Sequence, residues 1–429
     1  MGTKELYDFY LKTGKVSTDT RHLPAGCVFF ALRGETFNGN KFAAQALESG
    51  AGLAVVDDPE FHQEGKTTLV ENSLVELQKL ATFHRAQFQI PVVGITGSNG
   101  KTTTKELIAA ILSLKYKVHA TSGNLNNHIG VPLTLLAMPV DTEIAIIEMG
   151  ANHIGEIETL CQISNPDYAI ITNIGKAHLE GFGSLQGVIR AKSELFSHVR
   201  AKSGKVFIHS DDDLLTSLAA GMELISYGNS GNYVSGEITS DDTYLNFTFL
   251  SPKKEPVLVE SQLVGAYNFP NMMAAVCIGR YFGVADGEIA AALSSYKPGN
   301  NRSQLEKTKR NTLILDAYNA NPSSMKLAIT SFLSSDMQNK MMILGDMREL
   351  GVESEAEHRA VLKMICDKGF GDALFVGPVF SGMAGQYGFR SFEKSEEAHK
   401  WLEENPVSDR TILIKASRGI FLEKVVPAL

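Results

Sequence analysis

The sequence predicts a multidomain α/β protein whose sheets are mostly parallel. Three observations lead there. Apolar strand-like runs alternate with amphipathic stretches from about residue 91 onward. A glycine-rich turn joins one of these strands to one of the helices, and the same alternation restarts after the Lys297-Pro298-Gly299-Asn300-Asn301 break. The 429 residues exceed one ordinary core, so two or three domains are expected.

The order of elements follows from local pattern. Residues 1–88 form a first unit with strand signals at Cys27–Leu32 and Leu53–Val56. A second unit, 89–298, opens near Pro91. Its strands are expected at Pro91–Ile95, Glu143–Glu148, Tyr168–Thr172 and Lys205–Ile208. Between them, Lys101–Leu114 repeats Leu107, Ile108, Ile111 and Leu112 at helical spacing. Residues 221–264 break the rhythm with short polar extended pieces such as Tyr244–Phe249, which read as a small antiparallel β appendage. The third unit, 299–429, is expected to carry strands at Thr312–Asp316, Lys340–Gly345, Ala373–Gly377 and Thr411–Lys415.

Composition narrows the class. A hydrophobic content of 44% and a charged content of 21% describe a globular chain. The net charge of −8, with no lysine- or arginine-rich run, gives no electrostatic footprint for nucleic acid. Cys27, Cys161, Cys277 and Cys366 are scattered, form no C-x-x-C pair and read as reduced thiols. The start Met1–Glu5 lacks the apolar core of a signal peptide and no 18-residue apolar run occurs, so the expectation is a cytoplasmic protein without membrane insertion.

Gly97-Ser98-Asn99-Gly100-Lys101-Thr102-Thr103 sits between a strand and a helix N-terminus, where backbone N–H groups and the helix dipole hold phosphate. Lys101 can reach the terminal phosphates and the Thr102 hydroxyl can ligate Mg²⁺. The strict phosphate-loop pattern wants glycine at position 95, which is Ile95, so the match is to the shorter G-x-x-G-K-T-T form. A glycine-rich turn that binds nothing is the competing reading. The strand–loop–helix context favours a nucleoside triphosphate.

Glu148 ends the strand Ile144–Ile147, where a Mg²⁺ ligand belongs; capping the next helix or simple solvation is the alternative. His178 follows a strand end by a short turn, a position open to a ligand or a structural histidine. Lys192 falls within the apolar stripe Leu185, Val188, Ile189, Leu195, Phe196 and Val199 of a helix expected over Ser184–Val199. It must snorkel, pair, or lose its charge and take up CO₂ as a carbamate; spacing alone favours snorkelling. Asn268-Phe269-Pro270-Asn271 opens a helix with amides suited to a purine edge or to N-capping. Asp316–Pro322 is a dense polar loop at a strand end, suited to ribose or phosphate, and Arg302 in the linker can swing onto a γ-phosphate.

Together these segments resemble the Mur ligase family, the ATP-dependent amide-bond-forming enzymes of peptidoglycan synthesis. The resemblance spans nearly the whole chain. It is carried by Gly97–Thr103, Gly123–Pro132, Ile147–Ala151, Asn173–Leu179, Ala191–Phe196, Asp316–Pro322, Gly345–Met347 and Lys415–Gly419, and at the N-terminus by Ser17–Arg21 with Phe29–Gly34. Within the family the likeness is to the last cytoplasmic ligation step: Tyr318–Pro322 fits that member, and the Asp-Asn-Pro-Arg run of the sister enzyme is absent. The resemblance implies three domains: a small N-terminal α/β unit for the UDP end, a central phosphate-loop ATPase unit, and a C-terminal Rossmann-like unit that receives the amine. Its implied substrates are ATP, UDP-N-acetylmuramoyl-tripeptide and D-alanyl-D-alanine, handled by a monomer in the cytoplasm. By motif, Gly97, Ser98, Asn99, Gly100, Lys101, Thr102 and Thr103 hold phosphates. Thr102 and Glu148 bind a first Mg²⁺; His178 and a carbamylated Lys192 ligate or orient a second. Asn271, Arg302 and Asp316 contact adenine, phosphate and ribose. Thr18, Arg21 and Arg33 face the UDP-sugar, and Asn126, Asn127 and Asn319 the peptide and amine. The family motif commonly has glycine after the lysine, where Ser193 stands here. Competing readings are another ligase of the same superfamily, such as a tripeptide-forming or folate-polyglutamylating enzyme, or a non-catalytic nucleotide-binding scaffold.

Overall fold

The computed structural model describes residues 2–299 and 301–429; Met1, and Asn300 of the expected linker, lie outside them. Three sheets are stacked along the chain, each covered by helices. The first is wholly parallel, in the order β1 (Val16–Ser17), β2 (Val28–Phe30), β3 (Leu53–Val56) and β4 (Thr67–Leu69). Its helix Ser73–Arg85 docks on the second unit. Arg85 Nε donates to Ser164 O at 3.0 Å, and Tyr10 Oη donates to Leu136 O at 2.6 Å.

The central sheet uses β5 (Val92–Thr96), β6 (Val118–Ala120), β7 (Ile144–Glu148), β8 (Tyr168–Ile171), β9 (Lys205–His209), β10 (Glu223–Gly228), β11 (Val234–Ser240), β12 (Asn246–Leu250) and β13 (Pro256–Glu260). Their spatial order is 13-12-11-10-9-8-5-7-6. β5 and β7 are buried along their full length, as expected of strands covered on both faces. The chain leaves β5 toward β6 and β7 on one side, then crosses to β8 on the other. β5 is therefore the switch point, and a crevice opens at its carboxyl end. Helix Lys101–Leu112 buries Leu107, Ile108, Ile111 and Leu112, packing on the buried helix Phe269–Tyr281.

The segment 221–264 differs in one respect from expectation. β11, β12 and β13 pair antiparallel, but β10 pairs parallel with both β9 and β11, so the reversal begins one strand later. That extra parallel strand extends the main sheet instead of starting the appendage.

The third sheet comprises β14 (Gln304–Lys307), β15 (Thr312–Asp316), β16 (Lys340–Gly345), β17 (Ala373–Val376), β18 (Arg390–Phe392) and β19 (Thr411–Lys415), ordered 14-15-19-16-17-18. Only β14 is antiparallel. β1, β4, β14 and β18 are too short to leave a period in the sequence. No helix among the described residues is long and apolar enough to cross a membrane.

Candidate active site

The phosphate loop needs its glycines where the backbone turns left-handed. Gly97 has φ +145° and Gly100 φ +80°. A Cβ there would meet Thr172 Oγ1 at 2.0 Å and Asn271 Oδ1 at 2.4 Å respectively. The loop is tied to the turn after β8: Ser98 N donates to Asn173 O at 2.9 Å and Asn99 N to Asn173 Oδ1 at 3.0 Å. Lys101 Nζ folds back to donate to Gly97 O at 2.7 Å. Desolvation pushes its pKa down, with Glu148 partly offsetting the shift.

Glu148, the last residue of β7, is 1% exposed. It neither caps a helix nor meets solvent. Its Oε1 accepts from Thr102 Oγ1 at 3.1 Å and from Asn126 Nδ2 at 2.8 Å. Oε2 accepts no hydrogen bond and lies 3.7 Å from Lys105 Nζ. A buried carboxylate oxygen without a donor, beside a threonine hydroxyl, is the donor set a hard divalent cation takes. The residues fit Mg²⁺. No group of three or more His, Cys, Asp or Glu suited to a metal occurs among the described residues, so a bound Mg²⁺ would draw its remaining ligands from phosphate and water.

His178 caps the short helix Leu179–Phe182 from a left-handed conformation, φ +50°. Its Nδ1 lies against the carboxylate of Glu349, itself at φ +62° and contributed by the third unit. Hydrogen bonding to His178 holds the Glu349 carboxyl below its usual range. Lys192 lies in helix Leu185–Ala201 and is 1% exposed. The snorkelling favoured by spacing does not occur: the side chain is buried, its Nζ 5.4 Å from the Phe182 ring centroid. Desolvation, then Lys101, depress its pKa well below the ordinary lysine value, against the smaller pull of Glu156 and Glu194.

From the other side, Asn271 Oδ1 accepts from Thr104 Oγ1 at 3.2 Å. Arg302 stacks over Tyr318, its guanidinium 3.7 Å from the ring centroid. Asp316, ending β15, pairs with Lys415 Nζ at 2.6 Å, and Asn321 Nδ2 donates to Asn99 Oδ1 at 2.8 Å. That last bond joins the third unit directly to the phosphate loop.

These groups enclose a cavity of about 520 Å³. Ser98, Asn99, Gly100, Lys101, Thr102, Thr103, Asn126, Asn127, Glu148, His178, Asn271, Arg302, Asp316 and Asn319 all line it. Gly97 and Lys192 do not reach its wall. Asn127 is engaged in capping, its Oδ1 accepting from Ile129 N and Gly130 N. Thr18, Arg21 and Arg33 lie outside the cavity. They sit at the carboxyl ends of β1 and β2, where Arg21 pairs with Asp19 at 2.7 Å and Arg33 with Asp57 at 2.7 Å. Lys415, Glu349, Tyr267 and Arg418 also line the cavity without having been assigned a role from the sequence. Lys415 ends a parallel strand as Glu148 does, a signal that was available. Arg418 lies in the Lys415–Gly419 segment that carries the family resemblance, whereas Glu349 gives no signal, because only domain docking brings it in.

A phosphate loop at a switch point, a buried acid beside it and a third domain bonded to the loop define a ligase-type nucleotide site. Three family models match in succession: Mur ligase family, catalytic domain, over residues 13–92; Mur ligase middle domain over 95–279; and Mur ligase, glutamate ligase domain, over 301–418. The chain belongs to the Mur ligase family. It is 36% identical to the UDP-N-acetylmuramoyl-tripeptide–D-alanyl-D-alanine ligase of Bacillus subtilis, over 96% of this chain and 92% of that one. The enzyme of that name from Escherichia coli is 35% identical over 96% and 93%. Among solved structures, MurF from Acinetobacter baumannii superposes with a TM-score of 0.86 at 32% identity, covering 96% and 92%. The MurF ligase of Thermotoga maritima in complex with ADP gives 0.84 at 27% identity, covering 96% of each chain.

Proposed function

We propose that the protein joins D-alanyl-D-alanine to UDP-N-acetylmuramoyl-tripeptide, consuming ATP and releasing ADP and phosphate, as a cytoplasmic monomer in cell-wall synthesis. The single observation that carries the reading is the cavity at which a third-domain amide, Asn321, bonds the phosphate loop at Asn99. The division of labour follows the sheets: residues 1–88 hold the UDP end, 89–298 the nucleotide, and 299–429 the incoming amine. The relatives' names support the substrates, and the ADP-bound neighbour supports the nucleotide.

In this reading the γ-phosphoryl group passes from ATP to the tripeptide's terminal carboxylate, giving an acyl phosphate and ADP. The dipeptide amine then attacks the acyl carbon, the C–O bond to phosphate breaks, and the amine loses a proton. Carboxylate and triphosphate are both anions, so their approach depends on cations in a dry site. Lys101 and the loop amides hold the β- and γ-phosphates, and Arg302 moves from Tyr318 onto phosphate. Asn271 and Asp316 contact adenine and ribose. Thr102 and Glu148 would hold one Mg²⁺, and His178 and Lys192 would serve a second. Bound Mg²⁺ neutralises charge on the transferring phosphoryl group. Lys192, whose charged form burial disfavours, would add CO₂ at Nζ in its neutral form and release a proton, becoming a carboxylate-like ligand. Asn126 and Asn319 orient the peptide and amine, while docking of the third domain keeps water from the acyl phosphate.

The test is isotopic. Acceptor labelled with ¹⁸O in its terminal carboxylate is expected to transfer one label to inorganic phosphate for each pentapeptide formed. Unlabelled phosphate at full turnover overturns the reading.

A further inference from the structure

Arg418 is a cavity cation for which the protein supplies no anion. It follows β19, and its backbone is held on several sides. Ser417 Oγ donates to Ala320 O at 3.0 Å, Arg348 N donates to Ser417 Oγ at 2.9 Å, and Arg348 Nη2 donates to Gly419 O at 2.8 Å. The Arg418 side chain is exposed at the cavity wall and makes no hydrogen bond or ion pair to any described residue. Its one charged-group contact is with Tyr318, whose ring centroid lies 5.4 Å from the guanidinium. Arg302 covers the same ring at 3.7 Å. Two like charges drawn to one ring repel each other until anions arrive. A fixed backbone with a free head group is the arrangement of a side chain that waits for a ligand.

Counting charges identifies that ligand. Lys415 already answers Asp316. In the ligase reading, Lys101 and Arg302 answer the triphosphate. The acceptor's carboxylate is consumed in forming the acyl phosphate. The reactant anion that must come to the third unit, where the amine enters, is the terminal carboxylate of the incoming dipeptide. We infer that Arg418 binds this carboxylate and thereby selects an amine substrate with a free C-terminal acid. A guanidinium suits the task because its planar fork meets both carboxylate oxygens. The inference rests on the ligase reading above and adds the residue that recognises the amine donor.

Steady-state kinetics with D-alanyl-D-alanine and its C-terminal amide, in wild type and in Arg418→Met, test it. Wild type is expected to prefer the acid by about 10- to 100-fold in kcat/KM, the range of one charge-assisted hydrogen-bonded pair. In Arg418→Met the KM for the acid rises, acid and amide converge, and the KM for ATP stays at the wild-type value. Arg418→Lys is expected to keep part of the acid preference, which separates lost recognition from lost folding. An undiminished acid preference in Arg418→Met, or a rise in the KM for ATP in place of the dipeptide's, overturns the inference while leaving the ligase reading intact. Absence of dipeptide-dependent phosphate release in wild type removes that reading, and this inference with it.

Discussion

The carboxyl ends of the first sheet and of the central sheet present opposite electrostatics. At the first, each candidate arginine is already answered. Arg21 grips Asp19 through Nε at 2.9 Å and Nη2 at 2.7 Å, holding that acid at about 2. Arg33 binds Asp57, which also accepts from Asn40 Nδ2 at 2.8 Å and Ser73 N at 3.1 Å. At the second, Lys101 donates only to backbone carbonyls, Arg302 Nε has no partner, and Arg418 faces the cavity unpaired. A surface that only recognises can be neutral by itself. A site that brings two anions together must keep its cations uncommitted until they arrive.

Lys192 gives the sharpest way to break this contrast, since it is the buried cation the central site is least able to keep charged. Lys192→Met is expected to lower kcat by about 10³-fold, the scale of losing a central electrostatic group. The same substitution is expected to stabilise the fold at neutral pH. The folded-state pKa of Lys192 is depressed, so the unfolded chain binds more protons between that value and the ordinary lysine value of about 10.4. Wild-type stability therefore rises with pH through that window, and denaturant unfolding of Lys192→Met should show a shallower rise. Lys101, shifted in the same direction, leaves some slope behind. A fall in stability at pH 7 together with near-normal kcat would sink the account of Lys192.

How much of this was legible depends on whether a feature is local. The β5–loop–helix unit was readable because strand, glycines and helix start are contiguous and each glycine answers a backbone need at its own position. The inward orientation of Lys192 was readable from 3.6-residue spacing, but its fate was not. Whether a lysine escapes to water depends on how tightly its helix packs, and Phe182 is laid over Lys192 by the turn between two successive helices, which side-chain spacing does not fix. Arg21 and Arg33 are recognisable as candidates, whereas their pairing with Asp19 and Asp57 depends on the conformation of the loops after β1, β2 and β3. Glu349 and Arg418 meet the site only across the docked domains, a relation no window of sequence contains. The parallel pairing of β10 was missed because Glu223–Gly228 sits among polar, turn-rich residues that read as one irregular block.

Among the described residues, the contact between Glu349 and His178 is the one place where the third domain supplies charge directly to a candidate ligand of the central site. Glu349→Gln keeps the shape and removes the charge. Because Glu349 O also accepts from Glu180 N at 3.1 Å, docking itself should survive. The expected result is a kcat lowered about tenfold, with more phosphate released than peptide formed, as water reaches an acyl phosphate that is less well enclosed. Measuring phosphate and pentapeptide in the same reaction checks this. A ratio that stays at one, with unchanged kcat, would mean the pair merely decorates the interface.

The smallest effect is expected at the first sheet, where charges are already matched. The Arg33 side chain is 45% exposed, and an ion pair of that kind adds only about 0–1 kcal/mol to folding. Arg33→Ala should therefore leave the melting temperature nearly unchanged. If the loops after β1 and β2 hold the UDP-sugar, the substitution raises the KM for that substrate by about tenfold, one lost charge-assisted contact, and leaves kcat and the KM for ATP at wild-type values. A KM effect confined to the UDP-linked substrate would separate recognition at the first sheet from chemistry at the second. An equal rise in all three Michaelis constants, or a lowered melting temperature without a KM change, would instead make Arg33 a brace for Asp57 and the loop around it.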